Sequence, residues 1–243
     1  MTFRKKISLI VVLCLGVLLV ALPLILSAMS WNFARPWISQ RVSSATERSF
    51  SINGDLNLSW QKPDTGETGW QRWIPWPHLR AHEVVLGNPT WASTGPTMAS
   101  VPQVDFNLNP LALFQKSINL SSLILTEPKL ILELGPKGQN NWTFKQPSPS
   151  SWKFMLQDLW LNQGTVRLVD PLKQADVTTR IDTLKDGSIT WKISGKLAHD
   201  TVSGDGQAGA LLSLQSSTVK YPLSAHLKIG KTEMFAKGTL TNP

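Results

Sequence analysis

From Phe50 onward the chain alternates apolar and polar residues, stretch after stretch. In FSINGDLNLSW, Phe50, Ile52, Leu56, Leu58 and Trp60 alternate with Ser51, Asn53, Asp55, Asn57 and Ser59, and Gly54 fills the gap on the apolar side. Val104, Phe106 and Leu108 alternate with Asp105 and Asn107, and Leu130, Leu132 and Leu134 with Ile131 and Glu133. Ile189, Trp191 and Ile193 alternate with Thr190 and Lys192. Leu223, Ala225, Leu227 and Ile229 alternate with Ser224, His226, Lys228 and Gly230. Side chains of an extended strand point alternately to opposite faces, so this period predicts strands with one dry and one wet face. Turn-forming clusters separate them: Pro63-Asp64-Thr65-Gly66, Gly135-Pro136-Lys137-Gly138, Asp186-Gly187, and Gly204 to Gly206. The 16 Gly and 16 Pro among 243 residues fit turn-rich β structure rather than a helix bundle. Asn109-Pro110 predicts the cap of one short helix, LALFQ.

A weak internal repeat accompanies the alternation. LILTEPKLIL (Leu123 to Leu132) matches LWLNQGTVRL (Leu159 to Leu168) at a spacing of 36 residues, and VVLGNPTW (Val84 to Trp91) resembles the first half. Each copy reads as strand, polar turn, strand. Repetition of such a hairpin predicts a sheet that grows in one direction. QPSPSSW (Gln146 to Trp152) reads as a long loop, because the repeat continues past it. No set of amphipathic helices is long enough to cover the apolar face. Either a second sheet covers it as a sandwich, or the sheet curls and leaves a groove.

The N-terminus predicts a membrane anchor. Ile7 to Leu26 carries no charge, and twenty such residues span about 30 Å as a helix, the thickness of a hydrocarbon core. Arg4, Lys5 and Lys6 precede the run and the next charge is Arg35, which puts the N-terminus in the cytoplasm. A cleaved signal peptide, with Ala28-Met29-Ser30 as its cleavage site, is the competing expectation, although its apolar part is normally shorter. The expected boundaries are a basic tip over 1–6, a transmembrane helix over 7–28, an amphipathic connecting helix over 29–48 and a β domain over 49–243. In the connecting helix Pro36 suits a first turn, and Ala34, Ile38, Val42 and Ala45 share one face.

Chemistry finds no foothold. Cys14, the sole cysteine, lies in the apolar run, so a disulfide within the chain and a cysteine-ligated zinc are both excluded. His78 and His82 have i,i+4 spacing but stand in a segment that reads as extended, where that spacing does not converge on a metal. Gly204 to Gly209 fits GxGxxG literally but lacks the β–α context that holds a pyrophosphate, and reads as a glycine hairpin. No GxSxG elbow and no phosphate-binding lysine loop occur. Asn57, Asn119 and Asn141 begin glycosylation patterns by sequence alone. Net charge is +8, but after the N-terminal cluster the cations are scattered, so no nucleic-acid groove is expected. The chain is expected to be no enzyme and to need no cofactor.

Seven of the 11 tryptophans fall between Trp31 and Trp91. Trp31 and Trp37 suit the headgroup level of a bilayer. In WQRWIPWPHLR, Trp70, Trp73 and Trp76 form a rigid aromatic wedge in a proline-rich segment. Two readings remain open: a plug that packs over the end of the sheet, or an entrance through which lipid tails leave the membrane.

The basic-flanked apolar run, NFARPWISQRVSSATERSFSINGDLNLSW, GWQRWIPWPHLRAHEVVLGNPT and LALFQKSINLSSLILTEPKLILELGPKGQNNWTF together resemble the AsmA-like family. The blocks INGDL, LGNP, EPKL and NNWTF carry the likeness jointly, over residues 1 to about 170. The resemblance implies a single-pass protein of a Gram-negative inner membrane, N-terminus in the cytoplasm and β domain in the periplasm. Members resemble bridge-like lipid transfer proteins, whose repeating sheets form a hydrophobic groove. The implied role is to hold or move phospholipids toward the outer membrane and support its assembly. Members are much longer, so these residues correspond to an N-terminal portion and the β domain is expected to be incomplete at its C-terminus.

The fold expected is therefore mainly β: an N-terminal transmembrane helix, a short amphipathic helix, and a long curved, repeat-built antiparallel β-sheet forming a hydrophobic groove. Its expected lipid contacts are Ile52, Leu56, Leu58, Leu123, Leu125, Leu130, Leu132, Val166, Leu168, Ile189, Trp191 and Ile193, with Trp31, Trp37, Trp70, Trp73 and Trp76 at the interface or entrance. Its expected partners are inner-membrane phospholipids, together with outer-membrane or periplasmic assembly factors. The alternative is a closed periplasmic β scaffold for outer-membrane protein assembly, without bound lipid.

Overall fold

A computed structural model describes residues 13, 14, 16, 17, 21, 24–26, 29–62, 75–144, 153–211 and 221–240. The expected basic tip, most of the expected span, Trp70, Trp73, Pro63 to Gly66 and Gln146 to Trp152 lie outside them. The described residues of the apolar run are helical, and among the described residues no helix is long and apolar enough to cross a membrane.

The protein is mainly β. Thirteen strands form one open sheet: β1 (Phe50–Ile52), β2 (Leu56–Gln61), β3 (Trp76–Gly87), β4 (Thr97–Leu108), β5 (Ser117–Thr126), β6 (Lys129–Glu133), β7 (Lys153–Asn162), β8 (Gly164–Asp170), β9 (Ala175–Thr183), β10 (Ile189–Leu197), β11 (Asp200–Ala208), β12 (Tyr221–Ile229) and β13 (Thr232–Leu240). No second sheet packs on it among the described residues, which form no sandwich. β1 and β2 both pair with β3, and β3 pairs with β4. One half of β4 then pairs with β5 and the other with β6. From β8 to β13 each strand pairs antiparallel with the next.

Two corrections concern the repeat. The sheet is mixed, not antiparallel throughout, because β5 pairs parallel with β7 and β6 parallel with β8. Nor is each copy a hairpin. It is one long strand with a kink, and the copies lie side by side: Leu123 faces Leu159 and Leu130 faces Val166, each thirty-six residues on. The repeat spacing is thus the register of the parallel pair. Val84 to Trp91 is no third copy; it is the end of β3 and the loop after it.

The kinks form a line across the sheet. Glu83, Glu127 and Gln163 have left-handed backbones (φ 52°, 49° and 55°), a conformation that costs a non-glycine residue about 1 kcal/mol or more. Glu83 lies between His82 and Val84, whose partners on β4 are Gln103 and Val101. Glu127 and Gln163 follow the paired residues Thr126 and Asn162. Hydrogen bonds hold the crease: Asn53 N–H donates to the Glu83 carbonyl (3.0 Å), Glu127 N–H to Asn162 (2.7 Å) and Thr165 N–H to Pro128 (2.7 Å).

The crease explains how one face stays apolar. Uninterrupted alternation from Leu123 and Leu125 would place Glu127, Lys129 and Ile131 on the same side. The kink shifts the phase by one residue, which exchanges the faces. Leu130 and Leu132 then continue the apolar side and Lys129 turns to the polar side.

Two helical pieces flank the sheet. A 3₁₀ turn (Trp31–Ala34) leads into α1 (Arg35–Thr46), with Pro36 in its first turn as expected. Trp31, Ala34 and Ile38 pack against Ile52, Leu56 and Ala81, whereas Val42 is half-buried and Ala45 is exposed. The apolar stripe expected on this helix therefore packs on the buried cluster through its first part, while Ser43 Oγ in the second part of the helix accepts from Phe50 N–H of β1 at 2.9 Å. Arg35 Nη1 donates to the Asn53 and Gly54 carbonyls (3.1 and 2.6 Å), and Asn32 exchanges hydrogen bonds with Asp55 and Leu56 (3.0 and 2.8 Å). These contacts pin the helix to the crease. The second piece, α2 (Pro110–Leu113), starts where Asn109 predicts: its side-chain oxygen accepts from Leu111 N–H at 2.9 Å. Gly204 to Gly206, expected in a turn, lie instead inside β11.

Candidate functional site

The candidate site is the apolar face. On one side of the crease, pairing aligns Leu56, Ala81, Val104, Leu125 and Leu161 in one row, and Leu58, Leu79, Phe106, Leu123 and Leu159 in the next. On the other side Ala99, Leu130, Val166, Thr179, Ile193, Gly204, Leu227 and Met234 form one continuous row from β4 to β13. Ile52, Leu56, Ala81 and Val84 belong to one cluster, which places both sets of rows on the same side of the sheet. All twelve residues expected to contact lipid lie on this face.

Exposure along the face is uneven. Ile52, Leu56, Leu58 and Ile189 are buried, the first two beneath the N-terminal helical segment. Leu123, Leu125, Leu130, Leu132, Val166, Trp191 and Ile193 are half-buried, and Leu168 is exposed. Among the described residues no second layer packs over the half-buried ones. Trp191 lies across Gly206, where an added Cβ would come within 2.5 Å of the ring. Gly206, part of the literal GxGxxG, thus makes room for an indole; its setting is strand on both sides.

The opposite face is mixed, with Ile124, Trp160 and Ile131 among its polar residues. The row Lys129, Thr165, Arg180, Lys192, Asp205 and His226 runs across six strands, and its Lys and Arg side chains are exposed. Within this side, at β3 and β4, Asp105 is buried. Its carboxylate accepts from Arg80 Nε (2.6 Å) and Gln103 Nε2 (2.5 Å) and meets His78 Nε2 at 3.2 Å. Burial alone would raise this carboxyl's pKa, but hydrogen bonds from Gln103, Arg80 and His78 and the Arg80 charge hold it below its ordinary value. His78 Nδ1 also meets Asn107 Oδ1 at 2.6 Å. The cluster clamps β3 to β4, and Asn107 Nδ2 extends it to Ser122 Oγ on β5 at 3.3 Å. His82 lies apart, its Nδ1 3.3 Å from the Asp55 carbonyl, and no metal-holding group of side chains exists among the described residues.

A second polar clamp was not legible as such in the sequence. Glu133, 2 % exposed, accepts from Ser93 N–H and Oγ–H (both 2.7 Å) and from Thr94 N–H and Oγ1–H (3.0 and 2.6 Å). Burial pushes its carboxyl up, yet these four donors outweigh it and leave it below its ordinary value. Asn141, fully buried, accepts from Glu133 N–H (2.9 Å) and donates to Asn88 Oδ1 and the Ile131 carbonyl (both 2.8 Å). The blocks LGNP and NNWTF therefore meet through Asn88 and Asn141. They are structural, and the signal that could have revealed them is a polar residue at the end of an apolar strand.

The tryptophans divide. Trp31 is half-buried and donates from Nε1 to the Leu26 carbonyl at 2.7 Å. Trp37 is 62 % exposed, with the Arg41 guanidinium 5.7 Å from its ring centre. Trp76 is 5 % exposed, so its ring is packed within the protein rather than offered to a bilayer.

Comparison with known proteins agrees with these blocks. No solved structure matches the chain. The chain is 30 % identical over 256 aligned residues to the AsmA family protein YhjG of Escherichia coli (strain K12), which covers 93 % of this chain and 37 % of that protein. The chain thus spans little more than a third of the length of that relative. The AsmA family pattern matches residues 1–237, and the chain belongs to the AsmA family.

Proposed function

We propose that this chain is anchored in a bacterial inner membrane and that its sheet, curled about the crease into a groove, holds or conducts phospholipids toward the outer membrane in the periplasm. The observation that carries the reading is an uncharged row from Ala99 on β4 to Met234 on β13, apolar except at Thr179 and Gly204, over which no second layer packs among the described residues. An acyl chain gains about 0.8 kcal/mol per buried CH₂, so a few half-buried leucines suffice to hold one. The rows carry no charge that would trap a tail, while headgroups stay in solvent at the rim. The N-terminal apolar run supplies the anchor, inner-membrane phospholipids the cargo, and envelope assembly factors the further partners. The reading assigns no reaction and no cofactor to the chain.

The test places a photo-crosslinking amino acid at Leu125, on the apolar face, and separately at Ile124, which pairs with Asp105 on the opposite face. Phospholipid adducts at Leu125 and none at Ile124 are expected in membrane-anchored protein in cells. Crosslinks from Leu125 only to protein would overturn the reading and favour a scaffold for outer-membrane protein assembly.

A further inference from the structure

One end of the sheet combines exposed apolar side chains with lysines. β2 ends there, β3 begins, β4 runs into α2, and β5 and β7 begin side by side. α2 buries Ala112 and turns Leu113 and Phe114 outward, 37 % and 88 % exposed. Beyond it Lys116 takes a left-handed backbone (φ 53°) and its carbonyl accepts from Lys153 N–H at 2.9 Å, which joins the starts of β5 and β7. Ile118 pairs with Phe154, and these two and Met155 are 36 %, 64 % and 51 % exposed. Gln61, Lys62, Pro75 to Arg80, Asn109 to Leu123 and Lys153 to Gln157 contain no Asp or Glu.

Aromatic and aliphatic side chains concentrated at one edge are unfavourable in water and mark a contact surface. Lysines beside them, with no acid among these described residues, favour an anionic surface; Asp64 and Glu67 fall between β2 and β3, outside the described residues. Phe with flanking lysines suits the boundary between acyl chains and negatively charged headgroups. Phe235 provides the internal contrast. It is 74 % exposed, but its ring stacks on His226 at 4.5 Å beside Glu233, which is 2.7 Å from that histidine.

We infer that this end of the sheet is a bilayer-docking rim: Phe114 and Phe154 enter the interface of an anionic phospholipid membrane while Lys116 and Lys153 engage its phosphates. The rim can fail while Leu125 still crosslinks to lipid, and it can hold for a protein that carries none, so the two tests are separable.

The full chain is used in a Cys14→Ser background, with single cysteines at Phe114→Cys, Phe154→Cys or Phe235→Cys carrying a nitroxide spin label. Vesicles contain equal parts phosphatidylethanolamine and phosphatidylglycerol, or phosphatidylcholine alone. In the anionic vesicles the labels at 114 and 154 should gain accessibility to oxygen and lose accessibility to a water-borne nickel chelate, and the label at 235 should not. Phosphatidylcholine, or the added pair Lys116→Glu and Lys153→Glu, should reduce that immersion several-fold. Labels at 114 and 154 that stay open to the chelate overturn the proposal. So does equal immersion at 235, or immersion that survives charge reversal.

Discussion

The strands before β9 and those after it are held by different means. The first part has the crease, two parallel pairings and two buried polar clamps centred on Asp105 and Glu133. Its contacts join residues far apart in sequence: Asn141 reaches Asn88, and Asn32 reaches Leu56. From β9 to β13 the sheet is a plain antiparallel meander with one small buried cluster, Ile189, Ala208 and Tyr221, and β13 exposed throughout. Register there is fixed by neighbouring strands alone. Specific polar geometry holds the first part, and repetitive pairing the second.

The sharpest way to break the contrast is to remove the Glu133 clamp. Glu133→Ala removes the buried carboxylate that takes all four Ser93 and Thr94 hydrogen bonds, and should cost about 3 kcal/mol, read as a lower denaturant midpoint by tryptophan fluorescence. Hydrogen exchange should quicken in β3 to β6 and remain unchanged in β11 to β13. Asp105→Ala should cost about 2 kcal/mol, because His78 and Gln103 lose an ionised partner. In the meander, Gly206→Val sets a side chain against the Trp191 ring and should cost about 2 kcal/mol, with faster exchange confined to β10 to β12. Arg167→Ala, which breaks an exposed pair with Asp176 (2.7 Å), should change stability by less than about 1 kcal/mol.

Acid sharpens the same contrast. Asp105 and Glu133 both titrate below their ordinary values of 3.8 and 4.5. Their contribution is complete above those values and is lost as the pH falls through the lower folded-state values. Glu133→Gln should be less stable than the parent at neutral pH, and the gap should narrow below pH 4.5, measured by denaturant midpoints across that range.

Much of the fold was legible. Alternation located the strands around Phe50, Val104, Leu130, Ile189 and Leu223, but it took the kinks at Glu83, Glu127 and Gln163 to bring all twelve expected lipid contacts to one face. Asn109-Pro110 correctly marked a short helix. The wedge at Trp76 divided differently: that residue is buried. Gly204 and Gly206 read as turn residues because a glycine pair usually is; only the Trp191 ring across the pairing shows why a strand needs them.

By itself the sequence determined the strands, their apolar face and the period of 36, because alternation and repetition are local properties of the chain. It could not decide whether a copy folds on itself or beside its neighbour, since both arrangements satisfy the same pattern. Tertiary structure decided for the parallel pair. It did so by holding Glu83, Glu127 and Gln163 in left-handed conformations that neither glutamate nor glutamine favours alone, through hydrogen bonds supplied by neighbouring strands.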